Sequence, residues 1–106
     1  MITVTALELK ALLDAQPGMA LFNVRPMATA SEGQIPGSRQ LPQAEFEGRI
    51  LAMLPDKNAL VAVYDADLTC EASTRAATSL EKLGYKQVYN FSAGLKGWKE
   101  AGLPTL

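Results

Sequence analysis

The chain of 106 residues contains no histidine and a single cysteine, Cys70. Without histidine there is no Ser-His-Asp triad, no Cys-His pair and no histidine-ligated zinc site. One cysteine forms neither an intramolecular disulfide nor a thiolate metal cluster, so a reducing compartment is expected. We predict no cofactor and no metal. The cytoplasm is the expected location, and a fragment of a larger protein would give the same composition.

Long apolar segments and blocks of one charge are also lacking. No segment is apolar enough for a membrane-spanning helix, and no signal-peptide pattern is present. The formal net charge is -1 and no basic block is present, which argues against a nucleic-acid partner. A hydrophobic content of 48% with 20% charged residues is ordinary for a globular protein. We expect a single domain over residues 1–106 that binds neither membrane nor nucleic acid.

Strand-like and helix-like segments alternate, which predicts an α/β fold. Short apolar segments predict strands at residues 2–4, 20–24, 39–41, 60–64 and 87–90. Amphipathic patterns predict helices after a capping box formed by Thr5 and Glu8 and at residues 44–54, 73–83 and 95–101, with a helical turn at 26–31. The strand at 60–64 is continuously apolar, as expected at the centre of a parallel sheet.

The segment after that central strand contains most of the chemistry. It comprises Asp65, Ala66, Asp67, Leu68, Thr69, Cys70, Glu71, Ala72 and Ser73. In α/β proteins, loops between a strand and a helix N-terminus often bind anions because backbone N–H groups and the helix dipole favour negative charge. We therefore predict that residues 65–73 form an anion- or substrate-binding loop. Arg25 follows another strand and either lines this pocket or, as we favour, forms an ion pair with Asp65 or Asp67.

Several motifs taken together resemble the rhodanese-like domain family. In that family a strand ending in Asp-Val-Arg precedes a Gly-His-Ile-Pro-Gly-Ala turn; this chain has Phe22-Asn-Val-Arg25 and Gly33-Gln-Ile-Pro-Gly-Ser38. The family's later pattern, Gly-Tyr-x-x-Val-Tyr followed by Gly-Gly, Trp and Ala-Gly-Leu-Pro, is similar to residues 84–89, 93–94, 98 and 101–104. The resemblance covers residues 7–104, and the order and spacing of the motifs make it specific.

The resemblance implies a three-layer α/β domain whose central, mostly parallel sheet has about five strands, with helices on both faces. It also implies sulfur transfer. In the family, a cysteine after the central strand accepts a sulfane sulfur from a donor such as thiosulfate. Loop N–H groups hold the resulting persulfide, which passes its sulfur to a thiol or cyanide. The implied partners are a sulfane-sulfur donor and a thiol acceptor, with a protein partner as a further candidate.

Asp65 stands where the resemblance places the family's cysteine, directly after Tyr64. The following helix matches from Ser73 to Gly84 without a gap, so the loop is longer than the common form. A subgroup of rhodanese-like sequences has this longer loop with two cysteines, and this chain is similar with only the second kept, as Cys70. A carboxylate cannot carry a sulfane sulfur, and its charge opposes an anionic donor.

Asn23, Gln34 and Ala93 also differ from the usual Asp, His and Gly of the family. These differences, together with the replacement of the family's cysteine by Asp65, are consistent with a domain that no longer performs the family's usual reaction. The sequence therefore predicts that transfer of sulfur from thiosulfate to cyanide is weak or absent.

Cys70 is the remaining candidate nucleophile. A nearby helix N-terminus favours its thiolate, whereas Asp65, Asp67 and Glu71 oppose it. The spacing from Cys70 to Arg75 also resembles a family pattern, so Cys70, Asp65 and Arg75 are the candidate catalytic residues. The alternatives are a half-buried thiol without a role and a non-catalytic module that binds a protein or an anion. We expect Asp65 at the base of the loop and Cys70 nearer its rim.

Asp65, Asp67 and Thr69 also fit the Asp-x-Asp-x-Thr motif of haloacid-dehalogenase-type phosphatases, in which the first aspartate attacks phosphorus beside Mg²⁺. However, the 37 residues after Thr69 contain no aspartate to complete such a metal site. We therefore interpret this local match as a coincidence at a strand end.

Overall fold

A five-stranded sheet forms the middle layer of the structure, a computed structural model that describes residues 1–26 and 33–106. The strands are β1 (Ile2–Thr3), β2 (Ala20–Asn23), β3 (Arg39–Gln40), β4 (Leu60–Tyr64) and β5 (Gln87–Phe91). Their order across the sheet is β1-β5-β4-β2-β3, and all neighbouring pairs are parallel. The predicted α/β class and parallel sheet are confirmed, with β4 at the centre.

Helices cover both faces of this sheet, as predicted. They are α1 (Ala6–Ala15), α2 (Gln43–Met53), α3 (Ala72–Lys82) and α4 (Gly94–Glu100). Alternate residues of β4 point to opposite faces, so Val61 and Val63 pack in the core under α2 and α3. Ala62 and Tyr64 pack in the other core, under α1 and α4, together with Trp98. Trp98 is almost fully buried and is therefore a core residue.

The boundaries of the elements follow the predicted ones to within one or two residues. The capping box is confirmed, since Thr5 accepts the N–H of Glu8 while the Glu8 carboxylate accepts the N–H of Thr5. Where a strand ends earlier than predicted, ladder-like bonds continue; the N–H of Val24, for example, donates to the carbonyl of Tyr64 at 3.0 Å. Beyond Pro26, the predicted turn at 26–31 lies outside the described residues. In the described parts of the chain, no helix is both long and apolar enough to cross a membrane.

Candidate functional site

The loop between β4 and α3 starts at the carboxyl edge of the sheet and is fastened to α4 by backbone hydrogen bonds. The N–H of Leu95 donates to the carbonyl of Asp65 at 2.9 Å, and that of Lys96 donates to the carbonyl of Ala66 at 2.9 Å. Gly94 makes this approach feasible because it has a φ of +67° and lacks a side chain. The first two loop residues are thereby held in place.

Asp65 lies at the base of the loop, where it is only 3% exposed. Its Oδ1 accepts the N–H of the next residue, Ala66, at 2.7 Å. The carboxylate therefore uses a loop N–H that would otherwise be available to a bound anion. A fixed negative charge at this position also disfavours a second one nearby.

Asp67 organises the middle of the loop. Its Oδ1 accepts the N–H of Thr69 at 2.8 Å and the Thr69 hydroxyl at 2.5 Å, which closes an Asx turn. The hydroxyl and the N–H of Thr69 lower the pKa of the Asp67 carboxyl, with smaller contributions from the Cys70 thiol and the Lys96 ammonium. Asp67 is thus ionised throughout the neutral pH range.

We expect Thr69→Ala to raise the pKa of the Asp67 carboxyl towards its ordinary value, because the variant removes the hydroxyl bond that contributes most. A carbon-detected NMR titration measures this directly. Since the folded-state pKa is the lower one, the loop contact is intact above the ordinary carboxyl pKa and is lost as the pH falls through the folded value. An unchanged titration in Thr69→Ala would contradict the turn; Thr78→Ala, whose hydroxyl bonds to Thr74 on α3, is the control.

Cys70 lies further along the same loop and is half-buried, whereas Asp65 is buried. This agrees with the expectation that Asp65 lies at the base of the loop and Cys70 nearer its rim. The N–H of Cys70 donates to the carbonyl of Asp67 at 3.2 Å, and its thiol interacts with the Asp67 carboxylate. Cys70 is therefore held beside a negative charge and within reach of solvent.

Glu71 and Arg75 form an exposed ion pair, with 3.1 Å between Oε2 and Nη2. Their separation of four residues on a helix is the sequence signal for this pair. Assistance of Cys70 by Arg75 therefore stays a prediction. The Glu71 side chain does not cap α3. The first turn of that helix, which contains Ala72 and the fully buried Ser73, thus keeps N–H donors suited to an anion.

Arg25 lies two residues after the end of β2 and is fully buried. Its Nη1 donates to the carbonyl of Gly33 at 3.0 Å, and its carbonyl accepts Nε2 of Gln40 at 2.6 Å. Within residues 1–26 and 33–106, the ion pairs include neither Asp65 nor Asp67. The favoured pairing of Arg25 with these acids is therefore not present there.

Tyr64 joins the central strand to the turn at residues 33–38. Its hydroxyl accepts the N–H of Ile35 at 3.1 Å and shares a hydrogen bond of 2.8 Å with the hydroxyl of Ser38. Burial raises the pKa of Tyr64, so its hydroxyl stays protonated at neutral pH. Both partners lie more than 25 residues away along the chain, so no local sequence pattern indicates these hydrogen bonds.

A cleft of about 300 Å³ lies between the loop and α4, beside the backbone bonds that join them. It was not predicted from the sequence. Its walls include Asp67, Leu68, Thr69, Lys96, Gly97 and Glu100. Leu68, which is 74% exposed, stands on the loop side. Lys96 also lines an adjoining cleft of about 260 Å³. No local pattern in the sequence indicates the cleft, because one of its walls comes from α4, which lies far from the loop along the chain.

The phosphatase-like interpretation finds no support in this geometry. Asp65 and Asp67 each accept an N–H group of the loop itself. Within the part of the chain that the structure describes, no three residues among His, Cys, Asp and Glu are grouped to hold a metal ion.

The fold is a three-layer α/β domain with a parallel sheet and a polar loop after the central strand, and the whole chain can be compared with known families of this class. The family model for the rhodanese-like domain matches residues 5–101. This chain therefore belongs to the rhodanese-like domain family.

Individual relatives agree with that assignment. The chain is 32% identical to the human thiosulfate:glutathione sulfurtransferase, with 92% of this chain and 93% of the relative covered. It resembles a rhodanese-like domain from Anabaena sp. with a TM-score of 0.85 and 27% identity, covering 100% of this chain and 79% of that one. It also resembles a human single-domain sulfurtransferase with a TM-score of 0.78 and 25% identity, covering 94% and 96%. The chain is thus related to sulfurtransferases over nearly its whole length.

Proposed function

We propose that this domain is a sulfurtransferase that carries sulfane sulfur on Cys70. The observation that carries the proposal is the position of the only thiol of the chain: it lies half-buried in the loop after β4, next to the uncapped first turn of α3. The kinship with a thiosulfate:glutathione sulfurtransferase supports this class of reaction.

In the proposed reaction the Cys70 thiolate attacks the outer sulfur of thiosulfate. A sulfur–sulfur bond forms to Cys70 while the sulfur–sulfur bond of thiosulfate breaks, and sulfite leaves with the electron pair. The product is a Cys70 persulfide anion. An acceptor thiolate, for which glutathione is the candidate suggested by the relative's name, then attacks the outer sulfur and releases the Cys70 thiolate.

We assign Asp65 to the place of the usual family cysteine, in a longer-loop subgroup. Its burial at the end of β4 and its bond to the N–H of Ala66 fit this assignment, because that N–H would face a persulfide on residue 65. Asp65 and Asp67 both oppose the approach of a dianionic donor. Thiosulfate is therefore a slow donor for this domain, and less charged persulfides or polysulfides are better ones.

The test compares turnover of the wild-type protein and Cys70→Ser, with thiosulfate or an organic persulfide as donor and with glutathione or cyanide as acceptor. We expect Cys70→Ser to abolish turnover, a loss of at least about a hundredfold, because a hydroxyl does not form the persulfide. Cys70→Ala and a thermal unfolding measurement control for size and fold. Equal rates in wild type and Cys70→Ser would overturn the assignment. No turnover with any donor would favour a non-catalytic module that binds a protein or an anion.

A further inference from the structure

We propose that the cleft between the loop and α4 binds the sulfur acceptor, a small thiol with a free carboxylate, and that Lys96 contacts this carboxylate. The inference rests on the proposed function in that it takes Cys70 as the sulfur carrier. It goes further by giving the acceptor a binding place and by naming the residue that selects its carboxylate.

The position of the cleft relative to the thiol is the first argument. Asp67 lines the cleft, and its backbone carbonyl accepts the N–H of Cys70 at 3.2 Å. Thr69, the residue immediately before Cys70, lines it as well. We therefore place the sulfur of a small thiol bound in this space of about 300 Å³ at the end of the cleft formed by Asp67 and Thr69, the residues that adjoin Cys70.

The rigidity of the cleft is the second argument. Its two walls are joined by the backbone bonds from Leu95 and Lys96 to the carbonyls of Asp65 and Ala66. A preformed cleft binds a small ligand without an ordering cost for its walls. Lys96 is consequently presented by a helix whose position against the loop is fixed.

The distribution of charge is the third argument and selects the occupant. Among the residues that line the main cleft, Asp67 and Glu100 are acidic and Lys96 is the basic one. Lys96 also lines the adjoining cleft, where Lys99 is a second basic residue. An acceptor that has its carboxylate several bonds away from its sulfur can place the charge at Lys96 and the sulfur at Cys70. The exposed Leu68 adds apolar contact for the connecting carbon chain.

Binding is tested with S-methylglutathione, an unreactive thioether, by following amide shifts in NMR spectra of the full chain. We expect shifts concentrated at residues 66–69 and 93–100. Lys96→Gln should weaken binding about two- to fivefold, as for the loss of one exposed charge contact. Lys86→Gln, which removes another exposed lysine at the opposite end of the sheet, should leave the affinity unchanged. The diethyl ester of the probe should bind wild type and Lys96→Gln equally.

Turnover gives a second readout. With a fixed donor, Lys96→Gln should raise KM for glutathione or 3-mercaptopropionate but not for cysteamine, and kcat should remain within about twofold. Shifts away from the cleft, or an affinity that Lys96→Gln does not change, would overturn the inference and leave Cys70 chemistry untouched. Conversely, cleft binding by S-methylglutathione in a protein whose Cys70 takes up no sulfur would overturn the proposed function while the carboxylate site stands.

Discussion

Asp65→Cys should transfer sulfur from thiosulfate to cyanide at least about a hundred times faster than the wild-type protein. The variant removes a buried negative charge from the end of β4 and frees the N–H of Ala66, which Oδ1 of Asp65 accepts at 2.7 Å. A thiol at this position lies directly after the central strand, where the loop N–H groups can stabilise a persulfide anion. A steady-state assay of thiocyanate formation measures the change.

Two further variants separate the causes of that gain. Asp65→Ser removes the charge without adding a nucleophile, so it should increase the rate far less than Asp65→Cys. The double variant Asp65→Cys/Cys70→Ser should keep most of the gain if residue 65 alone carries the sulfur. If Asp65→Cys changes nothing while Cys70→Ser abolishes a measurable activity, our placement of the loop relative to the family is wrong.

Gly94→Ala should destabilise the fold by about 3 kcal/mol or more. Gly94 has a φ of +67°, and a Cβ there would lie 2.4 Å from the carbonyl oxygen of Asp65 and 2.8 Å from the carbonyl carbon of Ala66. These neighbours are backbone atoms, so they cannot move aside as a flexible side chain would. Either α4 separates from the loop or the loop is displaced. Urea unfolding followed by circular dichroism measures the loss.

Gly48→Ala is the matched control for that variant. Gly48 lies in the exposed interior of α2, and a Cβ there meets nothing within 4 Å. Because alanine favours the helix, Gly48→Ala should stabilise the protein by about 0.5–1 kcal/mol. If Gly94→Ala is as stable as the wild type, the close contact between α4 and the loop is absent in solution.

The helices and strands were largely predictable because their signals are local. Leu60–Tyr64 is apolar throughout and has the predicted bounds, and the Thr5–Glu8 capping box starts α1 where expected. The boundaries that differ do so by one or two residues. The helix α3, for example, begins at Ala72 rather than at residue 73, because the first turn of a helix depends on contacts that the hydrophobic pattern does not show.

The arrangement of the site was only partly predictable. The sequence placed Asp65 and Cys70 in one loop, since both follow the same strand. The sequence did not indicate which acceptors the Arg25 side chain contacts, because a buried guanidinium can donate to any neighbouring segment. One of its acceptors is the carbonyl of Gly33. The cleft beside Lys96 was equally hidden, because it arises only when α4 packs against the loop.

The most direct test of sulfur transfer through Cys70 is the mass of the intact protein after incubation with thiosulfate and, separately, with an organic persulfide. We expect one added sulfur atom on the wild-type protein, located on Cys70 by peptide mapping and removed by glutathione. The same treatment should leave Cys70→Ser unmodified. An unmodified wild-type protein with both donors, or an equal adduct on Cys70→Ser, would contradict sulfur transfer through Cys70.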